Sequence, residues 1–345
     1  MENGVFRSNN FDFLRLIFAS LVIVSHSYPL TGIKSQEILM QWTNGQADFG
    51  GVAVKCFFII SGYLIYQSLG RSKSYTNFMW KRLLRLYPAL IVMTIAVALI
   101  VPYAYSGEES IMENNSYFTY IPRTLSLYNL QHSISGVFEG LPYNTINGSL
   151  WTICYEFTMY LLTSFLFFIP KRFHLIIILL ICSLSFIFSV FFPVFLNNFL
   201  FSKIGLYAPN FYGLTCFFFF GAALTFINFE KIKWKNWITL ICLGITLLAI
   251  QLNLFSKLMY FILPVLVICF GVSSTPYINQ IGKKLGDNSY GIYIYGWFIQ
   301  QLLMYYFNLT TYPLMILSLI ISYFVGLLSW HLIEKRALTY KKLFK

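Results

Sequence analysis

Ten stretches of about 20 mostly apolar residues run through this 345-residue chain. A transmembrane helix needs about 20 such residues, because the hydrocarbon core of a bilayer is about 30 Å thick. Only 10% of the residues are charged, which is too few to cover a water-soluble surface. The stretches are 11–30, 50–69, 88–105, 149–169, 173–193, 210–227, 237–254, 258–275, 288–307 and 312–333. The sequence therefore predicts an all-α, polytopic membrane protein with about ten transmembrane helices.

The distribution of the basic residues predicts the orientation of these helices, because Lys and Arg concentrate in cytoplasmic loops. With both termini in the cytoplasm, 18 of the 24 Lys and Arg residues fall in inner segments and 4 in outer ones. The net charge of +12 then marks a cytoplasmic face that lies against anionic membrane lipid. Nucleic acid is excluded as a partner, since no soluble domain could present a binding groove. We expect one membrane-embedded domain over 1–345, with a long outer loop at 106–148 and no appended soluble domain.

Ionisable residues within the stretches are candidate functional residues, because a charge in mid-membrane costs at least about 2.5 kcal/mol. The first stretch holds Arg15 and His26. A spacing of eleven residues puts both on one face of a helix, about 16 Å apart along its axis. Arg15 then lies near the cytoplasmic end and His26 near the outer end. Two structural alternatives stay open: Arg15 snorkels to the inner interface beside Asp12, and His26 makes an interhelical hydrogen bond.

Arg82 and Arg85 precede the third stretch on the cytoplasmic side. Their i, i+3 spacing turns both guanidinium groups to the same face of a helix. Such a pair suits a phosphate, which guanidinium groups bind through two parallel hydrogen bonds. A basic amphipathic helix that lies on the lipid surface would show the same spacing.

Glu156 lies about 10 Å below the outer end of the fourth stretch, with no basic residue within one helical turn. This depth predicts that Glu156 lies in the outer half of the bilayer, as His26 does, whereas Arg82 and Arg85 lie at the inner face. An intramembrane carboxylate is a functional candidate by default, although a partner on another helix is the structural alternative. The four histidines are scattered and the six cysteines lie one to a stretch. No metal site is therefore predicted, and neither a P-loop nor a dinucleotide-binding motif is present.

Five short motifs occur together in this chain. They are the Arg15 and His26 pair, Arg-x-x-Arg before Tyr-Pro at 82–88, Phe-Phe-Ile-Ile-Ser-Gly-Tyr-Leu-Ile at 57–65, Leu-Trp-x-x-x-x-Glu-Phe at 150–157, and Ser-Tyr-Gly-Ile-Tyr at 289–293. In this combination the chain resembles acyltransferase family 3 over about residues 10–335. The resemblance implies a ten-span membrane enzyme that uses acyl-CoA and modifies carbohydrate at the bacterial cell surface.

The resemblance also implies roles for individual residues. They are His26 and Glu156 for catalysis, Arg15, Arg82 and Arg85 for the acyl donor, and Trp151 and Tyr290 for support of the substrate site. It implies acetyl-CoA as a co-substrate, no bound cofactor, and a location in the bacterial cytoplasmic membrane. The acceptor would be a hydroxyl of an extracytoplasmic polysaccharide or a lipid-linked oligosaccharide.

These roles suggest a mechanism in which His26 is the general base that takes the proton of a sugar hydroxyl as its oxygen attacks the thioester. Glu156 would orient the imidazole or bind the sugar, and a relay through an acyl-enzyme stays open. Two other functions are compatible with the same intramembrane charges. One is a transporter or flippase for a lipid-linked sugar, and the other is a polyprenyl-phosphate glycosyltransferase.

The chain departs from the family pattern in two places. These departures bear on which acceptor the enzyme uses more than on the acyl-transfer chemistry. Some relatives carry a histidine in the ninth span, where this chain reads Tyr-Gly-Trp-Phe at 295–298. Some relatives also carry a hydrolase-like soluble domain, which we do not expect here. The outer loop 106–148 is where we expect acceptor selectivity.

Overall fold

The computed structural model describes residues 9–343, which form helices and loops with no β-strand among them. Within that range, ten long helices coincide with the ten predicted stretches. They are α1 (Phe11–Leu30), α2 (Phe49–Gly70), α3 (Tyr75–Ile100), α4 (Trp151–Phe165), α5 (His174–Phe191), α6 (Ala208–Ala223), α7 (Lys235–Gln251), α8 (Phe255–Gly271), α9 (Ser289–Phe307) and α10 (Thr311–Ser329). The all-α prediction is therefore confirmed.

Seven of these helices, in the described part of the chain, are long and apolar enough to cross a membrane. Two others, α7 and α8, are apolar but shorter, and α9 is largely buried within the bundle. Several apolar helices make this a membrane protein. The full count of ten spans and the cytoplasmic location of both termini stay predictions, and Arg7 and Lys345, two of the inner basic residues, lie outside the described residues.

The third helix begins thirteen residues earlier than the sequence predicts, at Tyr75 instead of residue 88. Ser74 caps it by accepting a hydrogen bond from the backbone N–H of Asn77 at 3.1 Å. The basic segment with Arg82 and Arg85 is thus the first half of α3 rather than a separate surface helix. The helix continues because this polar half faces other protein segments instead of lipid, whereas hydropathy alone detects only the apolar half.

Helix α1 lies at the centre of the bundle, packed against α2, α9 and α10. Helix α2 packs on its other side against α6, which in turn contacts α5. Among the long helices, large apolar side chains are exposed mainly on α3, α5, α7 and α10. Such a surface is the one expected of helices that face lipid, while α1, α2, α6 and α9 form the interior.

Two glycines allow α2 and α6 to pack with their backbones in contact. A Cβ atom on Gly62 would lie 1.8 Å from the carbonyl oxygen of Phe218, and one on Gly221 would lie 2.1 Å from that of Ile59. The two contacts are reciprocal, since each glycine faces a carbonyl three residues from the other. Small residues at such interfaces permit close packing where lipid provides no hydrophobic driving force. The glycine in the 57–65 motif is therefore required by helix packing.

Replacing Gly62 with alanine is expected to destabilise the protein by at least about 1–3 kcal/mol, because backbone atoms cannot move aside as side chains do. The thermal unfolding midpoint of the purified protein in detergent measures this loss. Gly244→Ala is the matched control, since a Cβ on this α7 glycine meets no atom within 4 Å. Equal midpoints for the two variants would contradict the packing argument.

Candidate active site

A cavity of about 310 Å³ lies between α1, α2, α3, α4 and α9, at the end of the bundle where α1 begins. This is the cytoplasmic end in the predicted orientation. Five basic side chains and two acidic ones line its wall in the described part of the chain. They are Arg15, Lys81, Arg82, Arg85 and Lys341, together with Glu156 and Asp287. The excess of positive charge suits an anionic ligand.

Asp287 joins two of these arginines. Its Oδ2 accepts hydrogen bonds from Arg15 Nη1 at 3.0 Å and from Arg85 Nη2 at 2.8 Å. Its Oδ1 accepts from the hydroxyl of Ser289 at 2.9 Å. Arg15 is thus paired with a residue 272 positions away, which answers the open question of whether it snorkels beside Asp12. The bridge ties α1, α3 and the start of α9 together.

The carboxylate of Asp287 stays ionised in this setting. Burial favours the neutral acid, but the guanidinium groups of Arg85 and Arg15 outweigh it and hold the pKa of Asp287 at about 2. Arg85 has a second acidic neighbour, since its Nη1 lies 3.4 Å from Oε2 of the buried Glu334. Carboxylates therefore compensate much of the charge on Arg15 and Arg85.

Arg82 differs from its neighbour Arg85 because no carboxylate among residues 9–343 lies within ion-pair distance of it. Its Nη2 donates to the hydroxyl of Ser68 at 3.2 Å, and its guanidinium lies 5.7 Å and 5.8 Å from the ring centroids of Phe78 and Tyr160. Its buried Nε has no hydrogen-bond partner in the described part of the chain. Arg82 and Arg85 line the same cavity, as their i, i+3 spacing predicts, but Arg82 retains more capacity to bind an anion.

Glu156 faces the same cavity from α4. Its Oε1 accepts hydrogen bonds from the hydroxyl of Ser61 at 3.1 Å and from the hydroxyl of Tyr160. Within the described residues, no hydrogen bond joins Glu156 to His26. The structure thus groups Glu156 with the arginines and not with His26, whereas its depth in the fourth stretch predicts the opposite grouping. Its part in catalysis stays a prediction.

His26 lies toward the other end of α1 and is not part of the cavity wall. Its ring meets that of Trp297 edge to face, with centroids 4.7 Å apart. Its buried Nδ1 has no hydrogen-bond partner among residues 9–343. Trp297 is itself held in place, since its Nε1 donates to the carbonyl of Thr145 at 3.0 Å. A Cβ on Gly148 would lie 2.7 Å from the Trp297 ring, so the end of the outer loop closes over this side.

One face of α9 links the cavity to His26. Tyr290, Tyr293 and Trp297 follow each other at i, i+3 and i+7, which places them on the same side of the helix. Tyr290 and Tyr293 line the cavity, and Tyr293 shares a hydrogen bond of 2.6 Å with the hydroxyl of Thr152. From Tyr293 to Trp297 the helix rises only about 6 Å. The upper end of the cavity is therefore about one helical turn from the ring that contacts His26.

The two residues predicted as support for the substrate site lie in different settings. Tyr290 lines the cavity, donates to the carbonyl of Leu86 at 2.9 Å and lies 5.7 Å from the Arg85 guanidinium. Trp151 packs against Tyr155, with ring centroids 5.5 Å apart, and is not part of the wall. A direct contact with a ligand in this cavity thus fits Tyr290 and not Trp151.

Sequence patterns do not predict that four further charged residues belong to this site. They are Lys81, Asp287, Glu334 and Lys341. Asp287 lies two residues before the 289–293 motif and Glu334 directly follows the last apolar stretch, and this proximity is the one signal that the sequence offers. The described residues contain no group of three or more His, Cys, Asp or Glu side chains that could hold a metal ion.

Comparisons with known proteins identify one matching family and two relatives. The family model described as "Acyltransferase domain" matches residues 8–333. The O-acetyl transferase of Shigella phage Sf6 is 32% identical over 340 residues, which cover 96% of this chain and 97% of the relative. Nodulation protein 10 of Rhizobium leguminosarum bv. viciae is 32% identical over 194 residues, which cover 50% of this chain and 47% of that protein. No solved structure matches the chain.

Proposed function

Since the chain belongs to the acyltransferase domain family and is therefore an acyltransferase, we propose that it is an O-acetyltransferase of the bacterial cytoplasmic membrane. It takes acetyl from cytoplasmic acetyl-CoA and transfers it to a hydroxyl of an extracytoplasmic polysaccharide or lipid-linked oligosaccharide. The acetyl group is the one that the phage relative's name specifies. Family membership favours this function over a transporter or a glycosyltransferase.

The observation that carries the proposal is the cavity with five basic and two acidic side chains at the predicted cytoplasmic end. CoA is a polyanion that does not cross lipid, so its phosphates need a cationic site at the inner end of the bundle. Arg82 supplies a guanidinium that no carboxylate within residues 9–343 pairs, and Arg85 lies beside it on α3. Arginine suits phosphate because its planar fork stays charged and binds two oxygens at once.

The acyl arm of the donor would extend from the arginines along the α9 face of Tyr290 and Tyr293. This path leads toward Trp297 and the His26 ring that packs against it. The separation of His26 from the arginines along α1 is what transfer from one side of the membrane to the other requires. The phosphates then stay at the inner end while the thioester approaches the outer half.

In the proposed reaction, His26 accepts the proton of the sugar hydroxyl as that oxygen attacks the thioester carbonyl carbon. The tetrahedral intermediate collapses as the C–S bond breaks, and the imidazolium returns its proton to the CoA thiolate. The products are the O-acetyl sugar and free CoA. Glu156, which accepts from Ser61 and Tyr160, would bind and orient the substrates within the cavity rather than hold the imidazole.

Sided proteoliposomes test this function. The purified protein is reconstituted with radiolabelled acetyl-CoA inside and a bacterial surface glycan or lipid-linked oligosaccharide outside. We expect the label to appear on the acceptor as an alkali-labile ester, and only in vesicles that contain the protein. Movement of the glycan across the membrane without acetylation would instead identify a transporter. Absence of any acetyl transfer across a panel of acceptors would contradict the proposal.

A further inference from the structure

The mouth of the cavity is formed partly by the segment that follows α10. Residues Leu338–Lys342 form a short 3-10 helix, and its Leu338 and Lys341 line the cavity. The indole N–H of Trp80 on α3 donates to the carbonyl of Tyr340 at 2.9 Å and attaches the segment to that helix. Lys81, the next residue on α3, lines the same cavity. Two lysines from distant parts of the sequence therefore share the wall of one opening.

These lysines differ from Arg15 and Arg85, and resemble Arg82, in how their charge is compensated. Asp287 and Glu334 pair Arg15 and Arg85. Lys81 donates to the hydroxyl of Ser72 at 3.2 Å, and in the described chain neither Lys81 nor Lys341 lies within ion-pair distance of a carboxylate. The Lys341 charge lies within electrostatic range of three other cations, Arg85, Arg82 and Lys81, and of one carboxylate, Asp287. Like charges are held close together here at an electrostatic cost that a bound anion would relieve.

Coenzyme A carries two separate anionic groups, a pyrophosphate and a 3′-phosphate on its ribose. The arginines suit the pyrophosphate, from which the pantetheine arm extends toward His26. On the basis of the proposed function, we propose that Lys81 and Lys341 form a second phosphate subsite, which binds the 3′-phosphate of acyl-CoA at the cavity mouth. Lysine is a common phosphate ligand as a point charge on a flexible stem, and this suits a site at the edge of solvent.

The affinity of the purified full-length protein for two donors tests the subsite. KM is measured for acetyl-CoA and for acetyl-3′-dephospho-CoA in nanodiscs of neutral phosphatidylcholine. We expect the wild-type KM to be up to about 100-fold higher for the dephospho donor, because about tenfold is the usual scale for each of the two lost charged contacts. Lys341→Gln should raise the KM for acetyl-CoA about tenfold, leave the KM for the dephospho donor unchanged and leave kcat unchanged. Lys81→Gln should behave in the same way.

The matched control is Lys342→Gln, which changes an exposed lysine of the same segment that does not line the cavity. We expect this variant to retain the wild-type KM for both donors. If Lys341→Gln and the wild type discriminate equally between the donors, the subsite is wrong although the acyltransferase function stands. If the wild type turns over neither donor, the proposed function itself fails.

The same phosphate chemistry could be supplied by a lipid headgroup, and a second arm of the experiment separates the two sources. The KM values are measured again in nanodiscs that contain anionic phosphatidylglycerol. A discrimination between donors that is already present in neutral lipid supports the 3′-phosphate subsite. A Lys341→Gln effect that appears only in anionic lipid, and equally for both donors, would assign the lysines to lipid headgroups and overturn the proposal.

Discussion

Replacing His26 with alanine is expected to lower kcat for acetyl transfer by about 10²- to 10⁴-fold, the usual contribution of a general base. The KM for acetyl-CoA should change little, because His26 is not part of the wall of the cationic cavity. Initial rates of label transfer from acetyl-CoA to glycan, measured over a range of donor concentrations, separate the two constants. A rise in KM at unchanged kcat would show that the histidine serves donor binding instead.

Folding must be shown to survive the substitution, because the His26 ring packs against Trp297. Size-exclusion chromatography and the thermal midpoint in detergent provide that check. His26→Gln retains a polar side chain and is expected to be as inactive as His26→Ala while it folds normally. His331→Ala is the matched control, since His331 is exposed and does not line the cavity. Near-normal turnover by both His26 variants would exclude the general-base mechanism.

Replacing Asp287 with alanine is expected to destabilise the protein by about 3 kcal/mol and to weaken donor binding. The substitution removes the shared partner of Arg15 and Arg85. Breaking a buried ion pair typically costs 3–5 kcal/mol, because it leaves an uncompensated charge. The lower end of that range applies, since the carboxylate is 20% exposed and solvent screens part of the interaction. The thermal midpoint and the KM for acetyl-CoA measure the two effects.

Three comparisons separate a positioning role of Asp287 from general destabilisation. Asp287→Asn retains an oxygen that accepts hydrogen bonds, so it should fold better than the alanine variant while the KM for acetyl-CoA stays raised. Asp287→Glu should recover part of the wild-type KM. Glu109→Gln changes an exposed acid of the outer loop that does not line the cavity and should alter both quantities less. Wild-type midpoint and KM in Asp287→Ala would refute the role of the bridge.

The same bridge has a predictable pH dependence. Because the pKa of Asp287, at about 2, lies below the ordinary value of about 3.9 for an aspartate, the ionised carboxylate stabilises the fold above about pH 4. This stabilisation is lost as the pH falls toward 2. The difference in thermal midpoint between the wild type and Asp287→Asn should therefore be constant at neutral pH and shrink below about pH 4.

Sequence reasoning predicts the parts of this protein that depend on local pattern. The ten apolar stretches match the ten long helices because length and apolarity are properties of a single segment. The shared direction of Arg82 and Arg85 follows from helical periodicity, and both line one cavity. The predicted start of α3 is wrong because hydropathy detects only apolar segments. The first half of this helix is polar and is kept helical by contacts with other segments.

The pairing of charges depends on which helices become neighbours. Arg15 is paired with Asp287 across 272 positions. Lys341 lines the same cavity as Lys81 because Trp80, which precedes Lys81, donates a hydrogen bond to the backbone carbonyl of Tyr340, which precedes Lys341. No periodicity in a single segment encodes such contacts.

The sequence by itself determined that this chain forms a bundle of apolar helices and that Arg15, Arg82, Arg85 and Glu156 carry charge into it. Tertiary structure alone decided how those charges are compensated, with Asp287 between two arginines and Glu156 among hydroxyl groups. The physical reason is that hydropathy and helical periodicity act within one helix, whereas the energy of a buried charge depends on every helix that surrounds it. Close backbone contact through Gly62 and Gly221 brings α2 and α6 together, and α2 in turn carries Ser61 to Glu156.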